Sequence, residues 1–157
     1  MKLATLLYIR NKKGDYLLMK RENEPNKGFF SPAGGKLHTD IAESPNECAV
    51  REAREECGIE SVPDDWKLMG IVTERDYPGI GNIMIFLFDY RKRLTEKPVD
   101  SIEGRFVFVS PEEIENSKIP ETDKLYLWDF VLKSKGDFFS IKIDCTKNPY
   151  NCIIEQN

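Results

Sequence analysis

The chain has 157 residues, 40% hydrophobic and 32% charged, with 23 Lys+Arg against 27 Asp+Glu for a formal net charge of −4. That balance excludes a general nucleic-acid binder, which presents a basic face, and no apolar run approaches the roughly 20 residues of a membrane-spanning helix. Nine Phe, six Tyr and two Trp supply apolar bodies throughout, so the expectation is a single domain over residues 1–157 around one core. The four cysteines are Cys48, Cys57, Cys145 and Cys152. Only the last two are close, as C-x6-C, which is not a common metal spacing, and all four read as free thiols of a cytoplasmic protein.

Met1 to Arg10 and Tyr16 to Arg21 read as strands, and the polar, Gly-containing Asn11–Asp15 segment between them turns a hairpin. A polar loop from Glu22 to Gly28 leads into Phe29-Phe30-Ser31-Pro32-Ala33-Gly34-Gly35-Lys36, where paired glycines let the backbone approach a ligand closely. The best-defined element is a helix over Pro45–Cys57. Ser44 is its N-cap, Pro45 its first residue, Glu47 completes a capping box and Gly58 is the C-terminal stop. After the Pro63-Asp64-Asp65 turn, Trp66–Arg75 and Asn82–Tyr90 read as strands, the second apolar enough to be central. A strand at Arg105–Val109 runs into Ser110-Pro111-Glu112-Glu113, a cap-and-proline helix start. A helix over Glu121–Lys133 and a last strand at Phe138–Ile143 complete the pattern, which predicts an α/β or α+β domain with a mixed sheet between helices.

The Pro45–Cys57 helix carries unusual charge. At about 100° per residue, Glu52, Glu55 and Glu56 share an arc of about 100°, beside an apolar stripe of Ala49, Val50, Ala53 and Cys57. Like charges at i,i+3 and i,i+4 repel by a few tenths of a kcal/mol each. Glu43 to Gly58 holds five Glu and two Arg, a local charge of −3. A solvated, salt-bridged surface helix is the bland explanation. A hard divalent cation is the sharper one, because Mg²⁺ prefers carboxylate oxygens.

The stretch GGKLHTDIAESPNECAVREAREECGI closely resembles the Nudix hydrolase signature G-x5-E-x7-R-E-U-x-E-E-x-G-U, with U apolar. From Glu43 onward the match is complete. Ahead of it, seven residues separate Gly35 from Glu43 where the pattern has five, so the Lys36–Ala42 loop is two longer. The resemblance implies a Nudix-type α/β/α sandwich and hydrolysis of a nucleoside diphosphate linked to another group, using Mg²⁺ with Mn²⁺ as a substitute. It implies metal-facing carboxylates at Glu52, Glu55 and Glu56, a contribution from the Gly35 carbonyl, and an Arg51–Glu43 pair bracing the loop onto the helix. Glu103 resembles the extra metal-binding Glu that the family draws from a loop before a strand.

Outside this box, LLMKRENEPNKGFFSPAGGK, VDSIEGRFVFV and IPETDKLYLWDFVLKSKGDFFSIKI resemble MutT-type nucleoside triphosphate hydrolases, especially members acting on oxidised purine nucleotides such as 8-oxo-dGTP. Where those members read the base with Asn, Trp and two adjacent Asp, this chain offers Ser31, Ile119, Glu121 and Asp123. Lys20, Arg21 and Lys36 are candidates for phosphate contact, and Phe29 or Phe30 for stacking. His38, the only histidine, reads as an exposed polar residue. Tyr77 occupies a place where dinucleoside polyphosphate hydrolases often carry Tyr. The expected partner is therefore a small-molecule nucleotide, with neither nucleic acid nor membrane, for a monomer or homodimer. The alternatives are a hydrolase of ADP-ribose, nucleotide sugars or dinucleoside polyphosphates, and a Nudix-fold binding module that has lost hydrolysis.

Overall fold

The computed structural model describes residues 1–24, 26–102 and 104–157. Two strands, β1 (Lys2–Asn11) and β2 (Tyr16–Arg21), are joined by the expected turn. The Asn11 side chain holds that turn by accepting backbone N–H bonds from Lys13 and Asp15, both at 2.9 Å. The Gly-rich Phe29–Lys36 segment, to which no element was assigned from the sequence, forms two short strands, β3 (Phe30–Ser31) and β4 (Ala33–Lys36). Their few residues show no alternation that would mark them, and they exist because neighbouring strands offer open edges. Helix α1 (Pro45–Cys57), β5 (Trp66–Tyr77), β6 (Gly81–Leu94) and β7 (Gly104–Val109) follow.

The expected helix start at Ser110 is a single 3₁₀ turn, Pro111–Glu113, with no side-chain cap. Glu121–Lys133 is helical as read, but Asp123–Leu127 winds as a π turn before α2 (Trp128–Lys133). Strand β8 (Phe139–Asp144) is not the last. It pairs with a terminal β9 (Asn151–Gln156), whose exposed Ile153 and Ile154 give no clear inside–outside alternation.

The strands form one sheet in the order β3-β2-β1-β6-β5-β8-β9, with β4 paired to β1 and β7 to β2. Strands β1/β6 and β5/β8 are parallel and the remaining pairs antiparallel, so the sheet is mixed. Alternation along β1 sends Leu7 and Ile9 to one face and Tyr8 to the other. On the first face, Ala49, Ala53 and Cys57 of α1 pack against Leu7, Leu17, Met19 and Phe106. On the second, Leu127, Trp128 and Val131 cover Tyr8, Leu18, Val72 and Phe139. A helix on each face is the α/β/α sandwich that the resemblance implies. Along one edge of β1, Ala4–Leu7 pair with β4 whereas Arg10 pairs with β2. This change of partner brings the β4 glycines beside α1 and next to the cavity described below.

Candidate active site

The charged helix is anchored at both ends as expected. Ser44 Oγ accepts from the Glu47 N–H at 3.1 Å and the Ser44 N–H donates to Glu47 Oε2 at 2.7 Å. Gly58 closes the helix in the left-handed region at φ 65°.

Arg51 organises the acidic side chains. Its Nε and Nη2 donate to the two Glu43 carboxylate oxygens at 2.9 and 2.8 Å, and Nη1 donates to Glu52 Oε1 at 2.7 Å. Nη1 also reaches Glu55 Oε2 at 3.3 Å, and Nη2 donates to the Lys36 carbonyl at 3.0 Å. One planar guanidinium therefore ties the long loop, the end of β4 and two helix carboxylates together, which its forked donors suit and a lysine's point charge would not. His38 lies on the exposed side of the same group, 3.6 Å from Glu43.

Glycines bring β4 up to the helix. Glu56 Oε2 accepts from the Gly34 N–H at 3.2 Å. A side chain at Gly35 would collide with the Glu52 carboxylate. The Gly35 carbonyl is itself approached by Thr5 Oγ1 at 3.4 Å and Cys48 Sγ at 3.8 Å. Electrostatics follow from these contacts. The Arg51 hydrogen bonds hold Glu43 below the usual carboxylate range. Burial pushes Glu52 upward against the opposing pull of Arg51, and burial pushes the Cys48 thiol to about 12, so it stays protonated.

Among the described residues no group of three or more His, Cys, Asp or Glu side chains is gathered as it would be to hold a metal ion. The donors present are hard oxygens: the carboxylates of Glu52, Glu55 and Glu56, with the Gly35 backbone close against the Glu52 carboxylate. That set suits Mg²⁺ or Mn²⁺, which keep several waters and take few protein ligands. Glu103, expected to join them, lies outside the described residues.

A cavity of about 600 Å³ opens on the other side of the β4 glycines, within the range of small-molecule sites. Gly34, Gly35 and Lys36 form the wall it shares with the acidic helix. Lys2, Arg21 and Lys36 bring positive charge to its lining, and Leu6, Ile80, Ile83 and Ile85 make it apolar elsewhere. Glu74, Tyr77 and Asp123 also line it.

Of the residues expected to meet substrate, Arg21, Ser31, Lys36 and Asp123 line this cavity, whereas Lys20, Phe30, Ile119 and Glu121 do not. Lys20 and Phe30 face each other across the β2/β3 pair. Ile119 is core, and Glu121 borders a separate space with Tyr126 and Tyr150. Lys2 and Glu74 were not anticipated. A signal for Glu74 exists: on β5 it lies two residues after buried Val72, so strand alternation turns it inward.

Residues 1–129 match the NUDIX domain. This chain belongs to the NUDIX family. Family members generally use divalent metals. An ADP-ribose pyrophosphatase of Methanocaldococcus jannaschii is 34% identical over 80 residues, 51% of this chain and 45% of that protein. The chain thus matches less than half the length of that curated relative. The MutT protein of Methanosarcina mazei Go1 superposes with a TM-score of 0.68 at 29% identity, covering 84% of this chain and 95% of the other. The MutT protein of Bacillus halodurans shares the fold at a TM-score of 0.77 and 22% identity, covering 97% of each chain. No helix among the described residues is long and apolar enough to cross a membrane.

Proposed function

We propose that this chain is a Mg²⁺-dependent pyrophosphohydrolase that converts a nucleoside triphosphate and water to the monophosphate and pyrophosphate, in the cytoplasm. The observation that carries this reading is the shared wall: Gly34 and Gly35 touch the Glu56 and Glu52 carboxylates and also line the cavity. A nucleoside seated in the cavity would run its phosphates over that wall toward the acidic helix. Lys36 and Arg21 would meet phosphate oxygens there.

Glu52, Glu55, Glu56 and the Gly35 carbonyl are the groups that would hold the metal, with Glu103 as a further candidate from the sequence. Bound there, Mg²⁺ or Mn²⁺ would supply charge neutralisation for the bridging phosphates and acidify the attacking water. Arg51 keeps Glu52 aimed at Gly35, and Glu43 keeps Arg51 in place. Glu52, or a carboxylate outside the box, would accept the proton released from that water. Oxidised purine triphosphates such as 8-oxo-dGTP are the substrates the wider sequence likeness favours.

A second reading, cleavage of ADP-ribose, is supported by the name of the M. jannaschii relative. A nucleotide panel with Mg²⁺, scored for pyrophosphate against other products, separates the two. Pyrophosphate release from triphosphates is the expected outcome. Turnover of ADP-ribose or dinucleoside polyphosphates alone would overturn the triphosphate assignment.

A further inference from the structure

Lys2 sets a positive charge in the middle of the cavity wall, and strand register fixes its neighbours. Lys2 on β1 pairs with Ile83 on β6, and Ile83 pairs with Glu74 on β5. Two residues along β1, Ala4 pairs with Lys36 on β4. All five residues line the cavity, so they share one face of the sheet. Neighbouring strands lie about 4.8 Å apart, which puts Lys2 about 10 Å from Glu74 and one strand from Lys36. Across this face Lys36, Lys2, Ile83 and Glu74 therefore follow one another, strand by strand. No carboxylate pairs with Lys2 among the described residues, whereas Lys92, Lys97 and Lys133 each have one.

This order matches the order of groups in a nucleotide. With the phosphates running over the β4 glycines, the nucleoside lies toward β6 and β5. The ribose then rests on Ile83 and Ile85, which offer apolar contact and no charge. The phosphate joined to the ribose falls on β1, and the outer phosphates fall on β4 beside Gly34, Gly35 and Lys36. A lysine carries a compact charge on a long flexible stem, which suits a phosphate oxygen. Two ammonium groups on adjacent strands also repel each other, and a phosphate chain between them relieves that repulsion.

We propose that Lys2 binds the phosphate attached to the ribose and so sets the register in which the phosphate chain crosses from β1 to β4. This role rests on the proposed nucleotide site for its substrate class. Lys2 holds the same phosphate in the triphosphate substrate and in the monophosphate product. It stabilises both alike and gives no preference to the transition state, so its loss falls on KM. Lys36, by contrast, meets phosphates that leave as pyrophosphate. The two lysines divide the chain between the two products, and Lys2 takes no part in bond breaking.

The test is calorimetric binding of dGMP, dAMP and the matching deoxynucleosides in EDTA, which needs neither metal nor turnover. Wild type should hold each monophosphate more tightly than its nucleoside. Lys2→Met should cut that advantage about 5- to 20-fold and leave nucleoside binding within about twofold. Lys2→Arg, which keeps the charge, should restore most of the advantage, and Lys36→Met should leave it in place. Added salt should shrink the advantage more in wild type than in Lys2→Met. With Mg²⁺, Lys2→Met should raise KM for dGTP by a similar factor. An equal loss for nucleoside and monophosphate, an unchanged advantage in Lys2→Met, or no monophosphate advantage in wild type would overturn the proposal. If no triphosphate is cleaved but the Lys2-dependent advantage persists, the hydrolase reading fails and phosphate recognition stands.

Discussion

Two groups of acidic residues flank the same cavity, and they solve opposite problems. On α1, Glu43, Glu52 and Glu55 gather around one guanidinium and Glu56 accepts from a backbone N–H. Their charges are held in place, which suits the binding of a cation. At the far end, Glu74 and Asp123 have no ion pair among the described residues, and burial drives both toward the protonated form. A carboxyl group gripped by Arg keeps its charge, and one among isoleucines binds a proton. The neighbours, more than the residue type, decide what a glutamate can do.

The largest test of this contrast removes charge from the α1 group without changing shape. Glu52→Gln and Glu56→Gln are expected to lower kcat/KM by about 10²–10⁴-fold while monophosphate binding in EDTA stays within a few fold. A drop below tenfold for both, measured at saturating Mg²⁺, would remove the metal-holding role. The next effect belongs to the brace. Arg51→Ala leaves Glu43 and Glu52 without their cation, and activity should fall about 10–100-fold with a higher Mg²⁺ requirement. Arg51→Lys should recover little, because an ammonium cannot bridge Glu43, Glu52 and the Lys36 carbonyl in one plane. Full activity in the lysine variant would show that charge alone suffices.

The same contrast explains what could be read in advance. The acidic helix is local: Ser44, Pro45, Glu47 and Gly58 fix its ends, and the periodicity of Ala49, Ala53 and Cys57 fixes its buried face. Every contact of Arg51 lies within the box or at Lys36 just ahead of it. The Glu74–Asp123 pair is formed by residues far apart in the chain, brought together only when β5 packs beneath the π turn. Alternation turns Glu74 inward and Asp123 was named as a substrate contact, but neither segment alone shows that the two meet. Strands β3, β4 and β9 were missed for a related reason, since each is defined by its partner strand and not by its own pattern. Lys20 was expected at the substrate for its charge and Phe30 for its ring, and neither property tells which face of a strand a side chain takes. Strand alternation sends neighbours to opposite faces, and only Arg21 and Ser31 reach the cavity.

The smallest expected effect is on stability, and its sign comes from the buried pair. Folding raises Glu74 from its ordinary value of 4.5 to about 8. Between those values the native chain holds a proton that the unfolded chain has released, so stability falls as pH rises through the window and levels off above it. Asp123, raised from 3.8 to about 7, adds to the fall at the acidic side of that range. Glu43 shifts the other way through Arg51, but its stabilisation is lost only as pH drops into the acid range and leaves the window near neutrality to Glu74. Moving from pH 6 to pH 9 should cost the wild type about 1–3 kcal/mol, or about 3–10 °C in Tm. Glu74→Gln, which cannot ionise, should flatten that decline. A wild-type Tm that holds steady or climbs over this interval would mean that Glu74 is charged at neutral pH with a partner after all, and the distinction between the two acidic groups would dissolve.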